Sequence, residues 1–324
     1  MYYIIKILLS ICILVMLGAC YQCMSTKIDD VKYPPPGKLI DVGGYCLHVQ
    51  AMGDSRKPVV VLDAGLGCFS LDWALVQPEI AQFAHVVSYD RAGYGWSDES
   101  PHPRTSRQIV RELHTLLCNA GLFPPYILVG HSFGGVNVRL FANEYPDEVA
   151  GLVVVDSPHE LQTKKLPPDP DHSLFLKYPR LLRAIEPLGM RRLYGPSLPK
   201  AAPFSQEFHN VYLAKMSASK YFRAAVDEWL SFKESLKELE QSKRAFGNKP
   251  LIVLTAGKRL NAEELGIPEA WVEEFDKSWK ELQSDLATQS RKSDHVIATK
   301  SDHLIPWYQP EIIVEAVREL VMKK

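Results

Sequence analysis

Cysteine is scarce in this chain. Six in 324 residues are too few for a scaffold built from disulfides. No Cys-x-x-Cys pair faces a second one, so a structural zinc site lacks its ligands. A surplus of either charge is also missing: Lys+Arg 37 against Asp+Glu 38 leaves a formal charge of -1. Without a basic stripe to neutralise phosphates, nucleic acid is not an expected partner. There is no His-Glu-x-x-His and no cluster of His and Asp, so no metal or other cofactor is expected. Internal repeats are absent. Hydrophobic residues at 46% and charged residues at 23% exclude a disordered, collagen-like or multi-span membrane protein.

The first segment is apolar and stands apart. Lys6 is the only charge in the first 26 positions, and Ile7 to Ala19 is almost wholly apolar. That length suits the core of a signal peptide better than a spanning helix of about 20 residues. It runs into Leu17-Gly18-Ala19-Cys20, which resembles a bacterial lipobox, with Cys20 as the lipidated mature N-terminus. The rival reading is an uncleaved anchor over residues 7–26. Either way the expectation is an exported protein tethered to a membrane through its N-terminus, with residues 1–20 as signal or anchor and 21–37 as linker. Lys27–Gly37 contains Pro34-Pro35-Pro36 and is expected to form an extended stalk.

Strands and helices then alternate. Leu39–Val42 and Tyr45–Gln50 flank Gly43-Gly44, a hairpin signal. Short runs rich in Val, Ile and Leu follow at Val59–Asp63, Val86–Asp90, Tyr126–Gly130, Leu152–Asp156 and Leu251–Ala256, with a weaker one at His295–Thr299. Such runs suit strands buried on both faces. Ile109, Val110, Leu113, Leu116 and Leu117 share a face at helical spacing, as do Phe275, Trp279, Leu282 and Leu286. The expected fold is α/β, a mostly parallel sheet with helices on both faces. Residues 158–248 interrupt the alternation as an insertion, with helical segments at Tyr212–Arg223 and Val226–Glu240. The core is then 38–157 plus 249–324.

Gly130-His131-Ser132-Phe133-Gly134 fits G-x-S-x-G between a strand and a helix, the context of a nucleophile elbow. The tight turn needs glycine where a Cβ would clash. Ser132 would then stand exposed at the carboxyl end of its strand, beside a helix N-terminus that favours developing negative charge. A serine hydroxyl needs a base. His303, in Ser301-Asp302-His303-Leu304 after the last strand, has the right place in chain order. His131 would point away from the Ser132 face, His48 and His85 sit on early strands, His159 could line a pocket, and His295 opens the last strand.

The acid is less plain. The usual place after Leu251–Ala256 reads Gly257-Lys258-Arg259-Leu260-Asn261-Ala262-Glu263-Glu264, with no Asp. Asp156, at the end of the preceding strand, can reach the second imidazole nitrogen. Glu263, Glu264 and an Asn261-supported or water-supported dyad stay open beside it. Asp63-Ala64-Gly65-Leu66-Gly67 follows a strand; Leu66 N–H and Phe133 N–H are the candidate oxyanion donors. Asp90–Ser97 is read as an architectural loop.

Taken together, Asp63–Gly67, Asp90–Ser97, Gly130–Gly135, Val153–Asp156 and Ser301–His303 resemble the α/β-hydrolase fold family, in its group of esterases, haloperoxidase-like enzymes and proline iminopeptidases. The resemblance implies a helical cap at 158–248 and a serine hydrolase acting on small acyl substrates. Epoxide hydrolases and haloalkane dehalogenases carry Asp as nucleophile, so Ser132 argues against both. Within the cap, Phe175, Tyr194, Tyr212, Tyr221, Phe222 and Trp229 are expected to pack on the core or line an acyl pocket; Arg191-Arg192 is expected at a solvated surface. The missing acid after Gly257 is the one feature that favours the alternative, a ligand-binding protein on the same scaffold. The oligomeric state is not legible.

Overall fold

Alternating side chains explain why the apolar runs pair into one sheet. In β3 (Val59–Asp63), Val59 and Val61 join one buried cluster, while Val60 and Leu62 join another on the opposite face. The same division holds in β5 (Tyr126–His131) and β6 (Val149–Val155). These join β1 (Lys38–Asp41), β2 (Cys46–Met52), β4 (His85–Tyr89), β7 (Leu251–Ala256) and β8 (Ser293–Ala298) in the order β1-β2-β4-β3-β5-β6-β7-β8. β1 pairs antiparallel with β2, and β2 with β4; the remaining pairs are parallel. The computed structural model describes residues 2–168, 178–189, 191–192, 204–242 and 246–322.

Among the described residues the longer helices are α1 (Tyr2–Lys32), α2 (Ser106–Asn119), α3 (Phe133–Glu144), α4 (Pro179–Ile185), α5 (Gln206–Met216), α6 (Ser219–Ser242), α7 (Glu269–Ala287) and α8 (Pro310–Met322). α2 and α3 cover one face of the sheet with Ile109, Leu113, Leu117, Val136 and Leu140; α8 covers the other with Ile313 and Val317. Burying each such side chain stabilises the fold by about 1.5–3 kcal/mol. The mostly parallel, two-sided sheet is the expected architecture. Between β6 and β7, α4, α5 and α6 form the helical insertion. An aromatic cluster of Phe69, Tyr94, Tyr212, Tyr221, Phe222 and Trp307 joins that insertion to the loops of the core.

Three expectations change. The stretch Lys27–Gly37 is not extended throughout, because α1 continues to Lys32 and only Tyr33–Gly37 leaves the helix. No helix breaker lies between Lys27 and Lys32, whereas Pro34–Pro36 stops helix by removing donors and fixing φ. The residues before the prolines also have partners. Gln22 is buried and donates from Nε2 to Ser217 O at 2.7 Å, Arg192 pairs with Asp29 at 2.6 Å, and Lys215 with Asp30 at 2.9 Å. Arg192 therefore joins the cap to α1 instead of lying at a solvated surface. Second, the segment Tyr212–Arg223 is broken at Ser217–Ala218. The Ser217 carbonyl at that break is the one Gln22 takes up. Third, Arg191 packs over the rings of Tyr221 and Phe222, 5.1 and 5.8 Å from their centroids. Phe175 and Tyr194 lie outside the described residues.

Candidate active site

The turn between β5 and α3 is strained where chemistry is expected. Ser132 has φ 50° and ψ -123°. Asp156, just past β6, has φ 43°, and these two are the only described non-glycine residues with positive φ. Each such conformation costs about 1–3 kcal/mol and persists only where the surroundings over-determine it. Here they do. Ser132 N–H donates to Val155 O at 2.9 Å and Asp156 N–H to Leu254 O at 2.7 Å, so each turn is tied to the neighbouring strand. The elbow also needs bare backbone: a Cβ on Gly130 would lie 2.4 Å from Gly134 O, and one on Gly134 only 2.1 Å from Asp63 O.

Three side chains from three strand ends meet there. His303 Nε2 lies 2.9 Å from Ser132 Oγ, and its Nδ1 lies 2.6 Å from Asp156 Oδ2. An ionised carboxylate only accepts, so Nδ1 carries the proton and Nε2 is left to accept from the serine hydroxyl. Asp156 is buried; its Oδ1 accepts from Ala256 N–H and from the Trp279 indole N–H, each at 3.0 Å. Burial alone would raise the Asp156 pKa, but the His303 hydrogen bond and charge, with the Ala256 and Trp279 donors, hold it below the ordinary value. For His303, burial pushes downward, yet the hydrogen bond and charge of Asp156 prevail and the imidazole pKa is raised.

The loop after β7, which lacks the expected acid, has another task. Gly257 N–H and Lys258 N–H both donate to Ser301 O, at 3.2 and 2.9 Å, and so hold the segment that presents His303. Glu263 and Glu264 are exposed on the short helix Ala262–Leu265, and Asn261 Oδ1 caps it by accepting from both their backbone N–H groups. None of the three is brought to the imidazole. His131 does not simply point away: its Nε2–H donates to His303 O at 2.8 Å, and burial, then repulsion from His303, drives its pKa down to about 3. It stays neutral and positions the neighbouring histidine. His48 is buried against Asp90 at 2.9 Å, and His159 is buried against Asp285 at 2.8 Å instead of lining a pocket. The Asp90 carboxylate also accepts from Ser70 N–H and Trp96 N–H, which is the architectural role expected of that loop.

The candidate oxyanion loop runs beside Ser132; a Cβ on Gly65 would stand 3.2 Å from Ser132 Cβ. Among the described residues neither Leu66 N–H nor Phe133 N–H donates within the chain, so both are free for a developing oxyanion. Sequence reasoning missed what holds this loop. Buried Arg91 donates to Ala64 O, Gly65 O and Asp63 Oδ1 at 2.7–2.8 Å, and bidentately to Glu228 on α6 at 2.7 and 3.0 Å. Tyr94 O–H donates to Glu228 and accepts from Gly67 N–H, while Tyr221 O–H donates to Gly67 O. Burial disfavours the Arg91 charge, but Glu228 and Asp63 more than restore it. Trp279 was missed as well. Its helical face was legible; its aim at Asp156 was not, because the partners are 123 residues apart. Cys20 is exposed on α1.

A family model described as alpha/beta hydrolase fold matches residues 57–254, a stretch that holds the elbow and Asp156. The Bacillus subtilis (strain 168) protein YqjL is 27% identical over 288 residues, covering 87% of this chain and 91% of that protein. Among solved structures, an esterase from Thermogutta terrifontis aligns with TM-score 0.61 and 21% identity, covering 88% of this chain and 98% of that one. The epoxide hydrolase CorEH aligns with TM-score 0.62 and 17% identity, covering 87% and 97%. At those identities the structural likeness concerns the fold alone.

Proposed function

The chain belongs to the alpha/beta hydrolase fold family, and on that premise we propose that it is a membrane-tethered serine hydrolase cleaving carboxylic esters or related acyl compounds. The observation that carries the reading is the continuous contact from Ser132 Oγ through His303 to Asp156, at 2.9 and 2.6 Å. In this mechanism His303 Nε2 takes the hydroxyl proton as Ser132 Oγ attacks the acyl carbon. The carbonyl oxygen becomes an oxyanion facing Leu66 N–H and Phe133 N–H. Collapse expels the alcohol, which leaves with the proton from His303, and the acyl group stays on Ser132. Water, deprotonated by the same imidazole, then releases the acid and restores the serine. Asp156 holds the tautomer and stabilises the imidazolium at each attack.

A serine at the elbow argues against epoxide or haloalkane substrates, whose enzymes attack with a carboxylate. The alternative of a non-catalytic ligand-binding protein drew on the missing acid after Gly257; the Asp156 contact removes that motive. Tethering rests on α1, which is long and apolar enough to cross a membrane and has none of its most apolar stretch buried. A helix of this length and apolarity suits both a retained anchor and a signal segment that ends in lipidation at Cys20; its contact with the cap at Gly18 is the motive for the anchor reading. A fluorophosphonate probe tests the chemistry: the folded protein should take one label, lost in Ser132→Ala. Labelling that survives in that variant, or none on the folded wild type, refutes the proposal. Mass spectrometry of the N-terminus tests the tether, an intact Met1 supporting the anchor and a diacylglyceryl Cys20 the lipoprotein.

A further inference from the structure

The seam between α1 and the cap holds a groove that the hydrolase site does not use. Its level relative to a bilayer follows from α1 itself. Tyr2 and Tyr3 lie near one end of the apolar stretch and half-exposed Tyr21 at the other. At a rise of about 1.5 Å per residue they are about 27–29 Å apart, close to the roughly 30 Å of a hydrocarbon core. Tyrosines favour both membrane interfaces. Contact with the cap begins just there. Gly18 approaches so closely that a Cβ would lie 2.8 Å from Leu188 O, and Gln22 and Asp29 are tied to Ser217 and Arg192 beyond it.

The groove, about 410 Å³, opens between the two bodies at this level. Ala19 and Cys23 of α1 and Pro187 and Ala218 of the cap give it an apolar lining, interrupted by Gln22, Thr26 and Ser219. Lys27, Lys220 and Arg223 also line it, with Glu99 as the opposing charge. Glu99 is fully engaged by Arg223 through two hydrogen bonds of 2.7 and 2.8 Å. Asp29 and Asp30, farther along α1, are taken by Arg192 and Lys215. Among the residues lining the groove two lysines therefore remain in excess, with Asp30, Asp90 and Asp98 beyond that lining but within electrostatic reach of Lys220. Lys220 Nζ donates only to Ser97 O, at 2.8 Å, and among the described residues neither lysine forms an ion pair.

We propose that this groove binds an anionic phospholipid of the bilayer, its acyl chain along Ala19 and Cys23 and its phosphate at Lys27 and Lys220. The inference rests on the reading of α1 as a membrane-crossing anchor. Charge complementarity selects an anionic over a zwitterionic headgroup, and the apolar part of the lining, continuous with the lipid-facing side of α1, selects a lipid over a free anion.

Flotation of the full chain with vesicles separates the two readings. Failure to float with phosphatidylcholine vesicles, with or without phosphatidylglycerol, refutes the anchor. Given flotation, native mass spectrometry of the full chain released from mixed nanodiscs counts the lipid retained. Phosphatidylglycerol should be retained over phosphatidylcholine, and the preference should fall roughly fivefold for each of Lys27→Gln and Lys220→Gln. Equal retention of the two lipids by the wild type, or an unchanged preference in the folded double variant, overturns the site. Displacement of the lipid by inorganic phosphate also overturns it, assigning the two lysines to a free anion. Should the double variant not fold, Ala19→Trp fills the groove from the lipid-facing side with all charges intact; it should abolish retention, and undiminished retention counts against the groove.

Discussion

The Ser132 corner and the seam between α1 and the cap are both fastened by charge, but in different surroundings. Asp156, Arg91 and Glu228 are buried and bonded three to five times each. At the seam burial is one-sided: Asp30 is 54% exposed, whereas its partner Lys215 is buried. Water reaches one partner there and none of the three groups at the corner. A buried charge that loses its partner has nothing to replace it, whereas an exposed one is resolvated at little cost. Precision at the corner is thus obtained from groups that are expensive to disturb on every side, and attachment at the seam from pairs in which an exposed partner such as Asp30 can be resolvated.

Substitutions graded by burial test that contrast. Asp156→Asn should have the largest effect, lowering turnover about 10⁴-fold, as loss of the orienting carboxylate does in serine triads, together with a lowered melting temperature, because the charged partner of three hydrogen bonds is removed. Steady-state kinetics beside a thermal melt decides it; retained activity there, with loss in Glu263→Gln or Glu264→Gln, would move the acid to the later loop. Glu228→Gln comes next. Leaving Arg91 with half its counter-charge should lower unfolding free energy by about 3–5 kcal/mol in urea titration. Turnover should fall too, since the same guanidinium holds the Ala64 and Gly65 carbonyls.

Trp279→Phe removes one donor to a carboxylate and should cost about 1.5–3 kcal/mol. Turnover should suffer less than in Asp156→Asn, because Ala256 N–H still holds Oδ1. Smallest of all, Lys215→Met at the seam removes the buried charge and leaves only the exposed Asp30 to water, so it should change stability by at most about 1 kcal/mol. A larger loss would mean that the seam behaves like the corner.

Titration sharpens the same comparison. The Asp156 pKa is depressed in the fold, so its stabilisation is present above its ordinary 3.8 and is lost as pH falls through the lower folded value. The His303 pKa is raised, so its share is complete below 6.5 and is lost as pH rises through the higher folded value. The pair should stabilise the fold most between those two values, by urea unfolding across pH. Activity needs neutral His303, so kcat/KM should rise through a pKa above 6.5, and the limb should move down in Asp156→Asn as burial prevails.

Ser132 and His303 were legible because their signals are local: an elbow needs small residues in a strand–helix turn, and the histidine follows a strand. Asp156 was legible as one candidate among several. Its selection needed the parallel neighbours β6, β7 and β8 side by side, which turn residues 147 positions apart into a hydrogen-bonded pair. Arg91, Glu228 and Trp279 carried no such signal. An arginine in a glycine-rich loop and a glutamate on an amphipathic helix look like surface charges until folding buries them together.

By itself the sequence determined the alternation of strands and helices, the two-faced burial of the sheet, the elbow at Ser132 and the apolar character of α1, because periodicity and backbone sterics act over a few residues. Only the tertiary structure decided which carboxylate faces His303, that the loop after β7 supports that histidine instead of supplying the acid, and that α1 continues to Lys32 against the cap. Those outcomes depend on partners distant in sequence. Burial makes an unpaired charge or carbonyl costly, so the fold resolves each local ambiguity in favour of the arrangement that leaves the fewest such groups unmet.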